Sequence, residues 1–232
     1  MRILAIQNCA AEGFGSYAGL LVSEGAALEV VHPYRGDLLP PPRGWDAVLV
    51  GGTPISVLEA ERHAFLREES RFLSEAVRRD VPCLGICAGG QLLAQILGAR
   101  VSRNPTKEIG GYEVRLTQAG SADALFRGFP ARFPVFHWHG DTFAVPVGGD
   151  RLVEGEACQN QAFRAGRVVG LQFHLETGRA EAEAWARLYA DELAAFGKTT
   201  DAVVAECAGS EPERTRLAES LVRNFIESLG TG

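Results

Sequence analysis

Val81-Pro-Cys-Leu-Gly-Ile-Cys-Ala-Gly-Gly-Gln-Leu-Leu-Ala94 is the stretch on which the reading of this 232-residue chain turns. Its first half is a short apolar run behind Pro82 and reads as a buried strand. The apolar residues at 88, 92, 93, 96 and 97 that follow repeat at helical spacing. Between them stands Gly85-Ile86-Cys87-Ala88-Gly89, with glycines where a sharp turn brings backbone segments too close for Cβ atoms. Strand, sharp turn and helix make the layout of a nucleophile elbow, written G-x-C-x-G in place of G-x-S-x-G. A thiol at position 87 sits at the positive end of a helix, which favours thiolate by up to about 2 kcal/mol. The N–H of Ala88 then suits one half of an oxyanion hole. As a residue type alone, Cys87 is also a small buried residue of a glycine-rich βα turn. Cys83, four residues away, does not make a C-x-x-C pair and reads as core.

The same strand–helix alternation extends outward. Ile3–Gln7, Ala27–Val31, Asp46–Val50 and Pro82–Ile86 read as buried strands, with helix-period segments at Glu59–Arg79 and Ala88–Leu97. This predicts an α/β fold with an open, mostly parallel central sheet flanked by helices on both faces. Beyond residue 110 the pattern shifts to short strands: Tyr112–Leu116, Phe133–Phe136, Leu152–Glu154 and Val168–Phe173. A helix is expected over Ala180–Phe196. A last one should open at Ser210 with Glu213 as its capping box and carry Leu217, Leu221, Phe225 and Leu229. The expected organisation is one domain over residues 1–232, with a C-terminal helical extension at about 197–232. The Pro-rich Leu39–Arg43 reads as a surface loop.

Composition narrows the function classes. The chain is 46% hydrophobic and 22% charged, which excludes collagen-like, coiled-coil and disordered classes. A net charge of −6, with no run of Lys or Arg, argues against nucleic acid or an anionic membrane as partner. Five scattered cysteines do not suggest a disulfide framework, so a reducing compartment is expected. The first ten residues are too short for a secretory segment and no apolar run approaches the roughly 20 residues of a membrane span. Cytoplasmic location is the expectation.

A cysteine nucleophile needs a base, and the base needs an orienting group. His174, in Val169-Gly-Leu-Gln-Phe-His-Leu-Glu176, stands at the end of an apolar strand, where open α/β sheets place their sites. Glu176 is two residues on, on the same face of extended backbone, and can hold the imidazole tautomer. His137-Trp-His139-Gly-Asp141 is a second polar cluster with H-x-H-x-D spacing, whose imidazoles and carboxylate suit zinc. Thr142 stands where the metallo-β-lactamase pattern needs His, so no metal is expected. His32 and His63 read as solvent-exposed, and Lys107–Tyr112 as a strand entry.

Gly85-Ile-Cys-Ala-Gly-Gly-Gln91 together with Gln172-Phe-His-Leu-Glu176 resembles the class I, triad-type glutamine amidotransferase family, over about residues 1–195. Among its members the standalone, GMP-synthase-like proteins are the most similar. Two positions depart from many members: Leu175 replaces Pro, and Gly90 replaces His. Gly51-Gly52-Thr-Pro-Ile-Ser56 resembles the family's oxyanion loop, which implies that the Gly52 N–H is the second donor opposite Ala88. The resemblance also implies a glutamine-binding role for Gln91, one helical turn from Cys87, and contacts from His139, Gly140 and Asp141 to the substrate's amino-acid end. It implies L-glutamine or a γ-glutamyl amide as substrate, no cofactor, and ammonia passed to a separate synthetase subunit, because some 36 residues after 196 are too few for a fused one. The alternatives are a standalone hydrolase of γ-glutamyl amides or peptides and, of another class, a non-catalytic flavodoxin-like binding or stress-response module. Members of that last branch lack the distant His-x-Glu.

Overall fold

Apolar segments of four or five residues separated by helices dictate the core of the molecule. The computed structural model describes residues 1–230, so the last two residues of the expected C-terminal extension lie outside the described residues. The strands are β1 (Arg2–Ile6), β2 (Ala27–Val31), β3 (Ala47–Val50), β4 (Cys83–Ile86), β5 (Val101–Leu116), β6 (Arg132–Phe143), β7 (Asp150–Glu154), β8 (Ala162–Ala165) and β9 (Val168–Leu171). The helices are α1 (Gly15–Ser23), α2 (Ala64–Arg78), α3 (Ala88–Ile96), α4 (Gln118–Ala122), α5 (Arg179–Leu188), α6 (Ala190–Phe196) and α7 (Thr200–Leu229).

All strands join one sheet in the order β2-β1-β3-β4-β9-β8-β7-β5-β6. The run from β2 to β9 is parallel, and the remainder is antiparallel. β3 and β4 are buried at every residue, as parallel strands covered on both faces should be. Strand alternation divides the core: Ile3 and Ala5 pack on one side with Tyr17 and Leu21 of α1 and with Leu217, Leu221 and Phe225 of α7. Leu4 and Ile6 pack on the other with Phe72 and Leu73 of α2 and Leu92 and Leu93 of α3.

β5 begins at Val101 rather than Tyr112, the helix expected from Glu59 begins as α2 at Ala64, and α1, α4 and β8 had no sequence expectation. Three further differences each have a tertiary reason. β6 extends well past the expected Phe133–Phe136, because its polar residues pair with β5: Glu108 lies opposite His139 and Gly110 opposite His137. The helix expected over 180–196 breaks at Tyr189 (φ −105°, ψ 34°), whose ring packs against Trp138. α7 is capped by Thr199, whose hydroxyl accepts from the Ala202 N–H, and runs from Thr200 on through Ser210 and Pro212. Val203 and Cys207 carry its apolar stripe back onto Ala182, Trp185 and Ala186, so the helix is already formed before Ser210. Ser210 instead accepts a hydrogen bond from Arg214. Arg214 is fully buried and donates to the Thr177 carbonyl at 2.8 Å, which ties α7 to the segment after Glu176.

β6 does one thing more. Phe136 and His174 exchange both backbone hydrogen bonds, 3.0 and 2.9 Å, so this strand from the sheet's edge returns to flank the segment that follows β9.

Candidate active site

The turn between β4 and α3 puts Cys87 at φ +52°, ψ −114°, a region that L-residues rarely occupy. The close approach is real: a Cβ on Gly89 would lie 2.3 Å from the Val50 carbonyl oxygen. The Cys87 N–H donates to Leu171 O at 2.7 Å, which locks the turn to β9. Its sulfur is almost enclosed, 3.8 Å from the Trp138 carbonyl and 3.7 Å from the Gln172 side-chain amide, which donates to it. Ala88 is the first residue of α3, where backbone N–H groups have no partner inside the helix.

His174 follows β9 and is buried, its ring edge against Trp185. Nδ1 lies 2.5 Å from Glu176 Oε1, as the same-face spacing predicts. With Nδ1–H given to the carboxylate, Nε2 is the nitrogen left for chemistry. Burial by itself would push this imidazole down. The charge of Glu176 and hydrogen bonds with Cys87 and Glu176 outweigh it and hold the ring well above the ordinary histidine range. Cys87, His174 and Glu176 thus meet at the C-terminal ends of two adjacent parallel strands.

Gly51 and Gly52 follow β3, and a Cβ on Gly52 would lie 3.6 Å from that of Cys87, so the loop passes beside the sulfur. Asn8, at the end of β1, braces the loop from beneath, donating to Gly51 O at 3.4 Å and to Glu69 Oε1 of α2 at 2.9 Å. Complete burial pushes the Glu69 carboxyl up to about 8, with the Asn8 bond acting in the opposite direction.

The remaining expected residues form the wall of the same cavity, about 460 Å³, which Cys87 also lines. Gln91 is buried rather than exposed and donates to Asp141 O at 2.9 Å and Gln172 Oε1 at 3.1 Å. Both of its hydrogens are therefore committed, and its oxygen is left to accept. Asp141 Oδ2 accepts from Ser56, while Oδ1, though buried, has no partner. His139 turns away from Asp141's carboxylate to meet Glu108 Oε2 at 2.9 Å, and Gly140 lies beneath the Lys107 stem.

Glu108, His137 and His139 place one ligand atom each within 4.8 Å of one another, all buried. The H-x-H-x-D spacing therefore does not gather its own three residues: Asp141 goes to Ser56 and Glu108 takes its place. Gln161 Nε2 at 2.9 Å and His139 Nε2 at 2.9 Å both bond to Glu108 Oε2. Burial pushes His137 well below the ordinary range, keeping it neutral, and both its ring nitrogens are unpartnered.

Among the lining or contacting residues that the sequence reading does not single out are Glu12, Arg103, Trp138, Gln172, Tyr189 and Glu192; His63, expected to be solvent-exposed, is half-buried and also lines the cavity, and His32 is half-buried too. Gln172 stood within the quoted motif, two residues before His174. Trp138 stood inside the H-W-H cluster, and only strand alternation would have turned it to the opposite face from its histidines. Glu12 and Tyr189 carry no local signal.

Comparison with known proteins accords with this geometry. The "Glutamine amidotransferase class-I" family model matches residues 17–186, most of the chain. The chain is a member of the class I glutamine amidotransferase family. Within that class it is 33% identical over 181 residues to the glutamine amidotransferase-like protein YfeJ of Salmonella typhimurium, covering 76% of each chain. It is 29% identical to one subunit of the glutamine-hydrolysing GMP synthase of Saccharolobus solfataricus, over 72% of this chain and 87% of that one. A glutamine amidotransferase from Thermotoga maritima superposes with a TM-score of 0.89 at 32% identity, covering 100% and 99% of the two chains. Among the described residues no helix is long and apolar enough to cross a membrane.

Proposed function

We propose that Cys87, its thiol proton taken by His174, attacks the side-chain amide carbon of L-glutamine and forms a γ-glutamyl thioester. The observation that carries this reading is the convergence of Cys87, His174 and Glu176, with the His174 tautomer set by the 2.5 Å contact to Glu176. The tetrahedral oxyanion is held by the N–H groups of Gly52 and Ala88, worth about 3 kcal/mol per donor. His174 hands its proton to the departing nitrogen, so that ammonia leaves as the C–N bond breaks. It then takes a proton from the water that cleaves the thioester, which releases glutamate and regenerates the thiol. Gln91, His139, Gly140 and Asp141 position the amino-acid end. The buried, unpartnered Asp141 Oδ1 matches the substrate's α-ammonium.

Ammonia passes to a separate synthetase subunit. The support is the likeness to a GMP synthase component that is itself a separate subunit. A second reading, a standalone hydrolase of γ-glutamyl amides, is favoured by the cavity. Trp138 and Tyr189 line it beside Cys87, apart from Asp141, and leave room for a substituent on the leaving nitrogen. Cytoplasmic location accords with either reading.

Cys87→Ala is expected to lower glutamate release from L-glutamine by at least about 10⁴-fold, followed by a coupled glutamate assay. 6-Diazo-5-oxo-norleucine should alkylate Cys87 alone, identified by peptide mass. Turnover retained in Cys87→Ala overturns the mechanism, and an unmodified Cys87 under saturating reagent favours the binding module.

A further inference from the structure

β6 presents two unlike faces to the cavity. His139 and Asp141 point to one side; Trp138, next to the Cys87 sulfur through its carbonyl, points to the other. On Trp138's side stands Tyr189, ring centroids 5.8 Å apart, brought there by the break between α5 and α6. The Trp138 indole N–H donates to Glu192 Oε2 at 2.9 Å, and Glu192 is already paired with Lys107. Glu12 is different. Its Oε1 accepts from the Tyr189 hydroxyl at 2.9 Å, and its Oε2 sits 2.9 Å from where a Gly52 Cβ would be, beside the reacting centre. Among the described residues no Lys or Arg pairs with it. Burial pushes its carboxyl up, with the Tyr189 hydrogen bond acting against that. Glu12 is half-buried, and the charge acting in its favour is the His174 imidazolium, whose proton leaves with the departing nitrogen; a ligand that brings its own cation keeps the carboxylate paired.

The polarity of a bound γ-glutamyl donor follows from the two ends. The α-ammonium goes to Asp141, whose Oδ1 is buried and unpartnered, so the leaving amine extends past Cys87 towards the opposite face of β6. That face offers an aromatic pair and a carboxylate, the chemistry that recognises an alkylammonium. We propose that Glu12, Trp138 and Tyr189 form a leaving-group subsite for γ-glutamyl amides of aliphatic diamines, with the distal ammonium on Glu12. This rests on the proposed chemistry at Cys87 and adds no new step to it. The amide C–N bond breaks, the thioester forms, His174 protonates the nitrogen that leaves, and the distal ammonium keeps its charge throughout.

The test compares γ-glutamylputrescine with γ-glutamylbutylamide, of nearly equal length and without the distal charge, using L-glutamine as control. The intact protein is expected to prefer the putrescine amide in kcat/KM by about tenfold or more. Glu12→Gln should shrink the ratio to about twofold or less, whatever it does to both rates, since carboxamide keeps the Tyr189 bond but loses the charge. A substitution that merely perturbed His174 would lower both rates equally and leave the ratio standing, which overturns the subsite. Equal turnover of the two amides overturns it too. Calorimetric binding of both amides to Cys87→Ala separates the two readings. Tighter, Glu12-dependent binding of the putrescine amide without turnover in the intact protein upholds the subsite and overturns the chemistry. Glutamine turnover with equal binding does the reverse.

Discussion

The elbow and the β6 wall meet at one sulfur, yet they are held in place by different physics. The elbow is local: a strand, two glycines and a helix within a dozen residues force Cys87 into positive φ and clamp it to Leu171. The wall is remote: Trp138, His139 and Asp141 reach the site only because β6 pairs with β5 and returns to His174 through Phe136. On the proposed reading, the elbow carries the chemistry on tightly clamped backbone, and the wall carries recognition on side chains brought in from a distant strand.

Substitutions can break that contrast. The largest effect is expected from Glu176→Gln, which leaves His174 without the charge that sets its tautomer; kcat should fall by about 10³-fold or more with KM little changed. The same variant has a pH signature. The folded-state value of His174 is raised above its unfolded one, so the stabilisation is fully present below about pH 6 and lost as pH climbs through the folded value. The stability gap between the parent protein and Glu176→Gln, read by urea unfolding, should therefore be widest near pH 5.5 and close in alkali. Gly89→Ala comes next. Its Cβ meets the Val50 carbonyl at 2.3 Å, rigid backbone on rigid backbone, and should destabilise by about 3 kcal/mol or more. Gly140→Ala is its counterpart on the wall: its Cβ meets only the flexible Lys107 Cε at 3.0 Å, and the same unfolding measurement should show under about 1 kcal/mol. Equal losses at the two glycines would erase the distinction between elbow and wall.

A gentler probe sharpens it. Ser56→Ala removes the hydroxyl that donates to Asp141 Oδ2 and leaves the carboxylate free to turn. KM for glutamine should rise about tenfold with kcat nearly unchanged. A fall in kcat at constant KM would place Asp141 in the chemistry instead.

The same division decides what could be read from the residues. β1 to β4, α3 and the Cys87 turn were legible because their signals are neighbours in sequence: apolar runs, glycine flanks and the start of a helical period. His174 and Glu176 were legible because extended backbone carries both to one face. The extent of β6 was not, since polar residues become strand only against β5. The break at Tyr189 was invisible because the periodicity of 180–196 is unbroken, and Trp138 and Glu12 supply the reason from elsewhere in the chain. Ser210 with Glu213 is a sound starting signal, but the helix arrives already formed, its earlier turns packed on α5. Helical spacing alone puts Gln91 one turn from Cys87; that its amide hydrogens are spent on Asp141 and Gln172 depends on β6 and on the segment after β9.

β6 can also be regarded as a ruler. From Trp138, whose carbonyl lies 3.8 Å from the Cys87 sulfur, to Asp141 is three residues, about 10 Å of extended backbone. The strand pairs with β5 at His139 and again at Asp141, across a bulge in β5 between Arg103 and Glu108, and with His174 at Phe136, so both ends of the interval between nucleophile and proposed amino-acid end are held by backbone. L-Asparagine, one methylene shorter, anchored by the same α-ammonium, would hold its carboxamide about 1 Å short of attack, a misplacement large enough to cost about 10²-fold. On the proposed reading, the length of the acyl chain is measured by a fixed scale rather than felt by a closing pocket.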